Sequence, residues 1–199
     1  MAVTMSRVDG EGLAVALAEG RCAYIEEIDG VPWGEWMAIP LAPNLLVLSL
    51  TTATAYGLHC AFTVCEALMS RGALPAARRS PVELCLHEAI ANGIVHGNLG
   101  ISSSAKDHPE GHRVFSQLVK ERLRDPVCRR RRLEIVARWT PGRLDLGVSD
   151  QGEGFDPVVI PSGLNGAARS GRGFVFMRAL SSGVVVTDDG RCTCLHFDL

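Results

Sequence analysis

Between Ser80 and Gly97 the apolar positions recur with helical period, and the rest of the chain can be arranged around this stretch. Leu84, Ala91 and Val95 fall on one apolar side of the predicted helix. Glu88, Asn92 and His96 recur every four residues and drift about 40° per step around its axis. That drift sets a carboxylate, an amide and an imidazole along the rim of the buried face, over about 12 Å. Ser80 is the expected N-cap, Pro81 the first helical residue, Glu83 the capping-box partner and Gly97 the stop. Alone, the row reads either as the polar lining of a cleft or as a hydrogen-bonding surface stripe.

Upstream, Leu45 to Leu50 is an apolar run that predicts a buried strand. Thr54 to Arg71 carries a helical face through Tyr56, Cys60, Val64 and Leu68 and ends at Gly72. Before these, Ala14 to Leu17, Cys22 to Ile28 and Trp36 to Leu41 read as short strands, with turns at Asp29-Gly30 and Pro32-Trp33-Gly34. Downstream, Asn98 to His112 reads as a loop, and Val114, Phe115, Leu118, Val119 and Leu123 mark a short amphipathic helix. Leu133 to Trp139 and Leu144 to Val148 alternate as two antiparallel strands with one buried face. Asp156 to Ser170 reads as a lid and Phe174 to Leu180 as a short helix. Val184 to Thr187 and Arg191 to Phe197 read as a closing hairpin around Asp189-Gly190. This order predicts an α/β fold: a two-layer sandwich with a mixed, mainly antiparallel sheet and helices on one face.

The 199 residues, 47% hydrophobic, suffice for one compact domain with a sizeable core. A net charge of -2 supplies no global field toward nucleic acid or membrane, so neither is an expected partner. Four successive arginines, Arg129 to Arg132, read as the solvated start of a strand rather than a nucleic-acid surface, because no aromatic residues are interleaved. The chain shows neither an apolar run of about 18 residues nor a basic flank with an apolar signal core, and a cytoplasmic location is expected. Seven cysteines without a C-x-x-C pair argue against a disulfide framework and against a zinc site. Cys60, Cys65 and Cys85 sit in apolar helical sequence as small buried hydrophobes. Cys192 and Cys194 share one face of a strand, where a metal would lack two further ligands.

Three groups then stand in order: Glu88-x-x-x-Asn92-x-x-x-His96-Gly97, Asp150-x-Gly152-x-Gly154-Phe155 and Gly171-x-Gly173-Phe174. They resemble the N, G1 and G2 boxes of the GHKL ATPase superfamily, which includes DNA gyrase, the ninety-kilodalton heat-shock chaperones, mismatch-repair ATPases and sensor histidine kinases. The short chain and the wording of the boxes look most like the bacterial anti-sigma-factor serine kinases. The resemblance runs from about Trp36 to the C-terminus. It implies an ATP-binding domain over 36–199, with an inserted loop and helix near 99–127, behind an N-terminal extension over 1–35.

The resemblance implies ATP and Mg²⁺ as cofactors and assigns roles residue by residue. Asp150 matches the acceptor of the adenine amino group. Gly152 and Gly154 match the glycines that let backbone approach the purine, and Thr193 a threonine near adenine. Asn92 matches the Mg²⁺ ligand. Gly171, Arg172, Gly173 and Phe174 match the segment that cradles the phosphates at a helix start. His96 and Gly97 close the N box, His96 as a supporting or lid-facing group. Glu88 matches the general base. The activity implied is phosphorylation of serine or threonine on an anti-anti-sigma (STAS-type) antagonist, with a sigma factor controlled by partner switching and a homodimer among the expected assemblies. A non-catalytic ATP-dependent binding module and a histidine-kinase-type domain acting in trans remain alternatives. His59 is followed by Cys60, Ala61 and Phe62 rather than an acidic residue, so it reads as a packed or half-exposed imidazole and not a phosphoacceptor.

Overall fold

Leucines at alternate positions from Leu46 to Leu50 face the main core of the protein, and the intervening Leu45 and Val47 face a second, smaller one. The structure, a computed structural model, describes residues 2–5, 8–27, 42–102, 111–154 and 172–199. Its first half runs β1 (Ala2–Met5), α1 (Gly10–Ala18), β2 (Ala23–Glu26), β3 (Leu45–Thr51), α2 (Thr52–Gly57), α3 (Cys60–Ser70) and α4 (Arg79–Asn92). After a π-helical turn over Gly93–Asn98 come α5 (Gly111–Arg124), α6 (Pro126–Arg130), β4 (Arg132–Thr140) and β5 (Arg143–Ser149). The chain closes with α7 (Arg172–Leu180), β6 (Gly183–Thr187) and β7 (Cys192–Asp198).

The strands form one seven-stranded sheet in the order β1-β2-β3-β4-β5-β7-β6. β1, β2 and β3 are parallel and every other pairing is antiparallel, which gives the mixed, mainly antiparallel α/β architecture expected. The period of two sends Leu133, Ile135 and Ala137 of β4, Leu144, Leu146 and Val148 of β5, and Leu195 and Phe197 of β7 to the same face as Leu46, Leu48 and Leu50. There they meet α1, α3, α4 and α7. The N-terminal strands continue this sheet, since Ala23 to Ile25 of β2 pair with Val47 to Ser49 of β3.

Several local expectations change. Ala14 to Leu17 is helical: Asp9 caps α1 by accepting the Gly12 N–H at 2.7 Å, and Leu13 and Leu17, four apart, are both buried. The helix expected over 54–71 divides into α2 and α3 because Leu58 is extended, which leaves His59 exposed ahead of α3 and Tyr56 turned outward. α4 starts at Arg79, continuing a tight turn over Ala76–Arg78, so Ser80 caps nothing and Glu83 accepts from Arg79 Nε at 3.2 Å instead. Its buried face is Val82, Cys85, Leu86, Ala89 and Ile90, and Leu84 points to solvent. The helix is wedged between α3, α7 and the sheet, and that packing selects the i, i+3, i+4, i+7 set beginning at Val82.

Arg132 is not a solvated residue at the start of a strand. It is 1% exposed on the second face of the sheet, donating to Ser49 Oγ at 3.2 Å and to the Glu26 carbonyl at 2.9 Å, with Glu26 and Glu134 supplying opposite charge. The second face is therefore also buried along β2 and β3. The strand expected at Trp36 to Leu41, the turns before it, the lid over 156–170, Phe155 and Gly171 lie outside the described residues.

Candidate functional site

α4 carries Glu88 and Asn92 one turn apart at its C-terminal end, and there the helix widens. The Leu99 N–H reaches the Ile94 carbonyl at 2.8 Å, a π-type bond, and the chain turns away only at Gly100, whose φ is +60°. Gly97 therefore lies inside the widened turn rather than ending the helix. A methyl group on Gly97 would overlap the Asp150 carboxylate, and one on Gly93 would come within 2.9 Å of Leu133 Cδ1. Here the missing side chains let the end of β5 pack directly on the helix.

Asp150 follows β5 and is tied to β7, its N–H donating to the Arg191 carbonyl at 3.0 Å. Its Oδ1 accepts the Gly152 N–H at 2.8 Å, and the residue lines the cavity described below. Burial pushes this carboxyl up to about 6, against the weaker opposing pull of the Gly152 N–H and of the charges on Arg191 and Arg131. Gly152 sits under the widened turn: a Cβ there would be 2.5 Å from the Gly97 carbonyl carbon. Gly154 has a φ of +76°, and its Cβ would strike the Asp189 carbonyl. A side chain at Gly152 or Gly154 would thus meet protein backbone, and Gly154 also lines the cavity described next.

Between α4, the end of β5, β7 and the start of α7 lies a cavity of about 670 Å³, within the ordinary range of small-molecule sites. Asn92, His96, Gly97 and Asp150 line it, together with Gly154, Gly173, Phe174 and Thr193. Glu88 and Gly152 are not on its wall. The Glu88 carboxylate abuts the first turn of α7, with Oε2 placed 2.5 Å from where a Gly173 Cβ would be. Arg172 opens α7, and Gly171 is outside the described residues. His96 is exposed and its Nδ1–H donates to the Ile101 carbonyl at 2.6 Å, which ties the imidazole to the turn after the helix. Phe174 also packs into the main core. Among the described residues the side chains of Glu88, Asn92 and Thr193 have no hydrogen-bond partner and are free to meet a ligand.

A sequence model of the histidine kinase-like ATPase domain matches residues 51–198. The chain belongs to this family. It is accordingly a member of the GHKL superfamily, with an ATP-binding domain over the matched residues, which run from the last residue of β3 through β7. No curated protein matches the chain. Among the described residues no helix is long and apolar enough to cross a membrane.

The cavity fits the family's nucleotide. A half-buried carboxylate that only accepts suits the adenine amino group, and the start of α7, beside Gly173, carries the positive end of its dipole. No cluster of three or more His, Cys, Asp or Glu side chains is found among the described residues. A single amide oxygen, from Asn92, is nevertheless compatible with Mg²⁺, which keeps most positions for water and phosphate.

The tertiary structure adds residues that the boxes did not name. Asn98, fully buried, accepts the Gln151 N–H at 2.7 Å and donates to the Arg132 carbonyl at 3.0 Å, while its own carbonyl accepts from Arg131 at 2.7 Å. The Gln151 side-chain oxygen in turn accepts the Arg132 N–H at 2.8 Å. This network sets the residue after Asp150 against the end of the helix. Its only sequence signal is an amide directly behind His96-Gly97. Arg122, Cys128 and Arg131 also line the cavity, so α5 and α6 contribute a wall that no motif announced.

Proposed function

We propose that this histidine kinase-like ATPase domain is an ATP- and Mg²⁺-dependent regulatory protein kinase of the anti-sigma type. Its substrate is a serine or threonine on a STAS-type anti-anti-sigma protein, and its output is control of a sigma factor by partner switching. The observation that carries this reading is the pair Glu88 and Asn92: one turn apart and unpaired, Glu88 beside the start of α7, on a helix whose widened C-terminal turn packs against Asp150.

In this reading Asp150 Oδ2 accepts from the adenine amino group and disfavours guanine, which presents an oxygen there. Thr193 lines the same cavity. The first turn of α7 faces the phosphates. Asn92 would hold Mg²⁺, which would supply positive charge to the phosphates. Glu88 takes the proton of the attacking hydroxyl as its oxygen bonds to the γ-phosphorus, the bond to the β–γ bridging oxygen breaks, and ADP leaves. Most of the barrier reduction comes from positioning and charge, so the nucleophile a partner presents decides the product.

The test combines the full chain, Mg²⁺ and γ-labelled ATP with a STAS-type protein. Acid-stable label on serine or threonine is expected, and Glu88→Gln is expected to bind ATP as the wild type does while transferring none. Acid-labile label would point to a histidine acceptor. ATP binding without transfer by the wild type would refute the kinase reading in favour of ATP-controlled protein binding.

A further inference from the structure

We propose that Cys192 and Cys194 form an oxidative modification site that reacts with a hydroperoxide, closes to a disulfide and weakens nucleotide binding through Thr193. The alternation of β7 places Thr193 on the cavity side of the sheet and the two cysteines on the opposite face. Their Sγ atoms are 3.8 Å apart and both residues are half-buried, within reach of solvent. Among the strand neighbours, Gly147 lies beside Cys194 with empty space where its side chain would be and the exposed Val185 stands on its other side, while Ser149 and Thr187 flank Cys192.

One thiol is prepared for attack. The S–H of Cys194 and the hydroxyls of Ser149 and Thr187 hydrogen-bond to Cys192 and bring it down to about 6, against burial and the Asp188 charge, while Cys194 is pushed up as the proton donor. Burial drives Cys60 and Cys65 up to about 12 and Cys85 up to about 11, which keeps these thiols inert. The chemistry balances in two steps. The Cys192 thiolate attacks the peroxide O–O bond, gaining oxygen as a sulfenic acid and releasing the alcohol or water. Cys194 sulfur then displaces that oxygen as water and the S–S bond forms.

Closure cannot leave the strand as it is. Two residues of extended strand separate Cα atoms by about 6.6 to 6.8 Å, at the upper limit of what a disulfide spans. The backbone must shorten, and the residue between the two cysteines is Thr193. This coupling rests on the reading of the cavity as the ATP site.

The experiment oxidises the full chain with hydrogen peroxide, then compares ATP affinity by calorimetry with the mass of the tryptic peptide Cys192–Leu199, which follows Arg191 and contains both thiols. The peptide is expected to lose two hydrogens, about 2 Da. Affinity is expected to fall about three- to tenfold, the worth of one hydrogen bond, and to return with dithiothreitol. Cys192→Ser and Cys194→Ser proteins are expected to keep their affinity under the same treatment. Oxygen addition without a bridge overturns the proposal, as does a bridge with unchanged affinity or an equal loss in the serine variants. Reduced protein that binds no ATP refutes the site reading and the coupling with it, while the peptide mass still decides whether the bridge forms.

Discussion

Replacing Asp150 by asparagine separates two demands on one side chain, because the carboxylate is costly to the fold and needed by the ligand. Burial raises its pKa from 3.8 to about 6, a displacement that corresponds to about 3 kcal/mol. The sign follows from proton binding. As pH rises above 3.8 the unfolded chain ionises first, so the native state holds the extra proton and stability falls until the folded group has titrated near 6. The contribution is fully present below pH 4 and lost above about pH 6. Asparagine does not titrate and keeps an oxygen for the Gly152 N–H, so the difference between Asp150→Asn and wild type isolates this group. Urea unfolding from pH 4 to pH 7.5 is expected to show the variant gaining on the wild type by about 1–3 kcal/mol across the window. ATP affinity at pH 7.5 is expected to fall at least about tenfold, because a hydrogen bond to a charged acceptor is lost. A stability difference independent of pH, or one that moves against the variant as pH rises, would refute the burial argument.

Two further substitutions probe the packing around that carboxylate. Asn98→Ala removes two buried hydrogen bonds and strands the Gln151 N–H and the Arg132 carbonyl. It is expected to cost about 2–4 kcal/mol in denaturant unfolding, and to weaken ATP binding without changing its dependence on Mg²⁺. Gly97→Ala forces a methyl group into the Asp150 carboxylate; a loss of about 1–3 kcal/mol in stability is expected, with a weaker preference for ATP over GTP in competition binding. A Gly97→Ala protein with wild-type stability and selectivity would show that the helix and the Asp150 turn can separate at no cost.

Much of this protein was legible because much of it is local. The alternation of β4, β5 and β7 follows from the pleat and needs only one face to be buried, and the spacing of Glu88 and Asn92 follows from the helix itself. Asp150 at the end of a strand, and the glycines after it, were legible as positions. Their surroundings were not. The sequence cannot say that Gly97 and Gly152 are pressed together, or that Asn98 holds a backbone group 53 residues away. Ala14 to Leu17 illustrates the weaker side of local reading: four apolar residues satisfy a strand as well as a helix, and the Asp9 cap and the packing of α1, with Leu13 and Leu17 buried, against α3 decided it.

The amino-acid order alone therefore determined the family, the fold class and which side chains stand at helical or strand spacing, because these depend on periodicities that the backbone imposes on neighbours. Tertiary structure decided the widened turn after Asn92, the burial that raises Asp150, the burial of Arg132 between two carboxylates, and the distance between the thiols of Cys192 and Cys194. Each of these is a matter of which distant atoms fill the space beside a residue, and desolvation and close packing act through that space rather than along the chain.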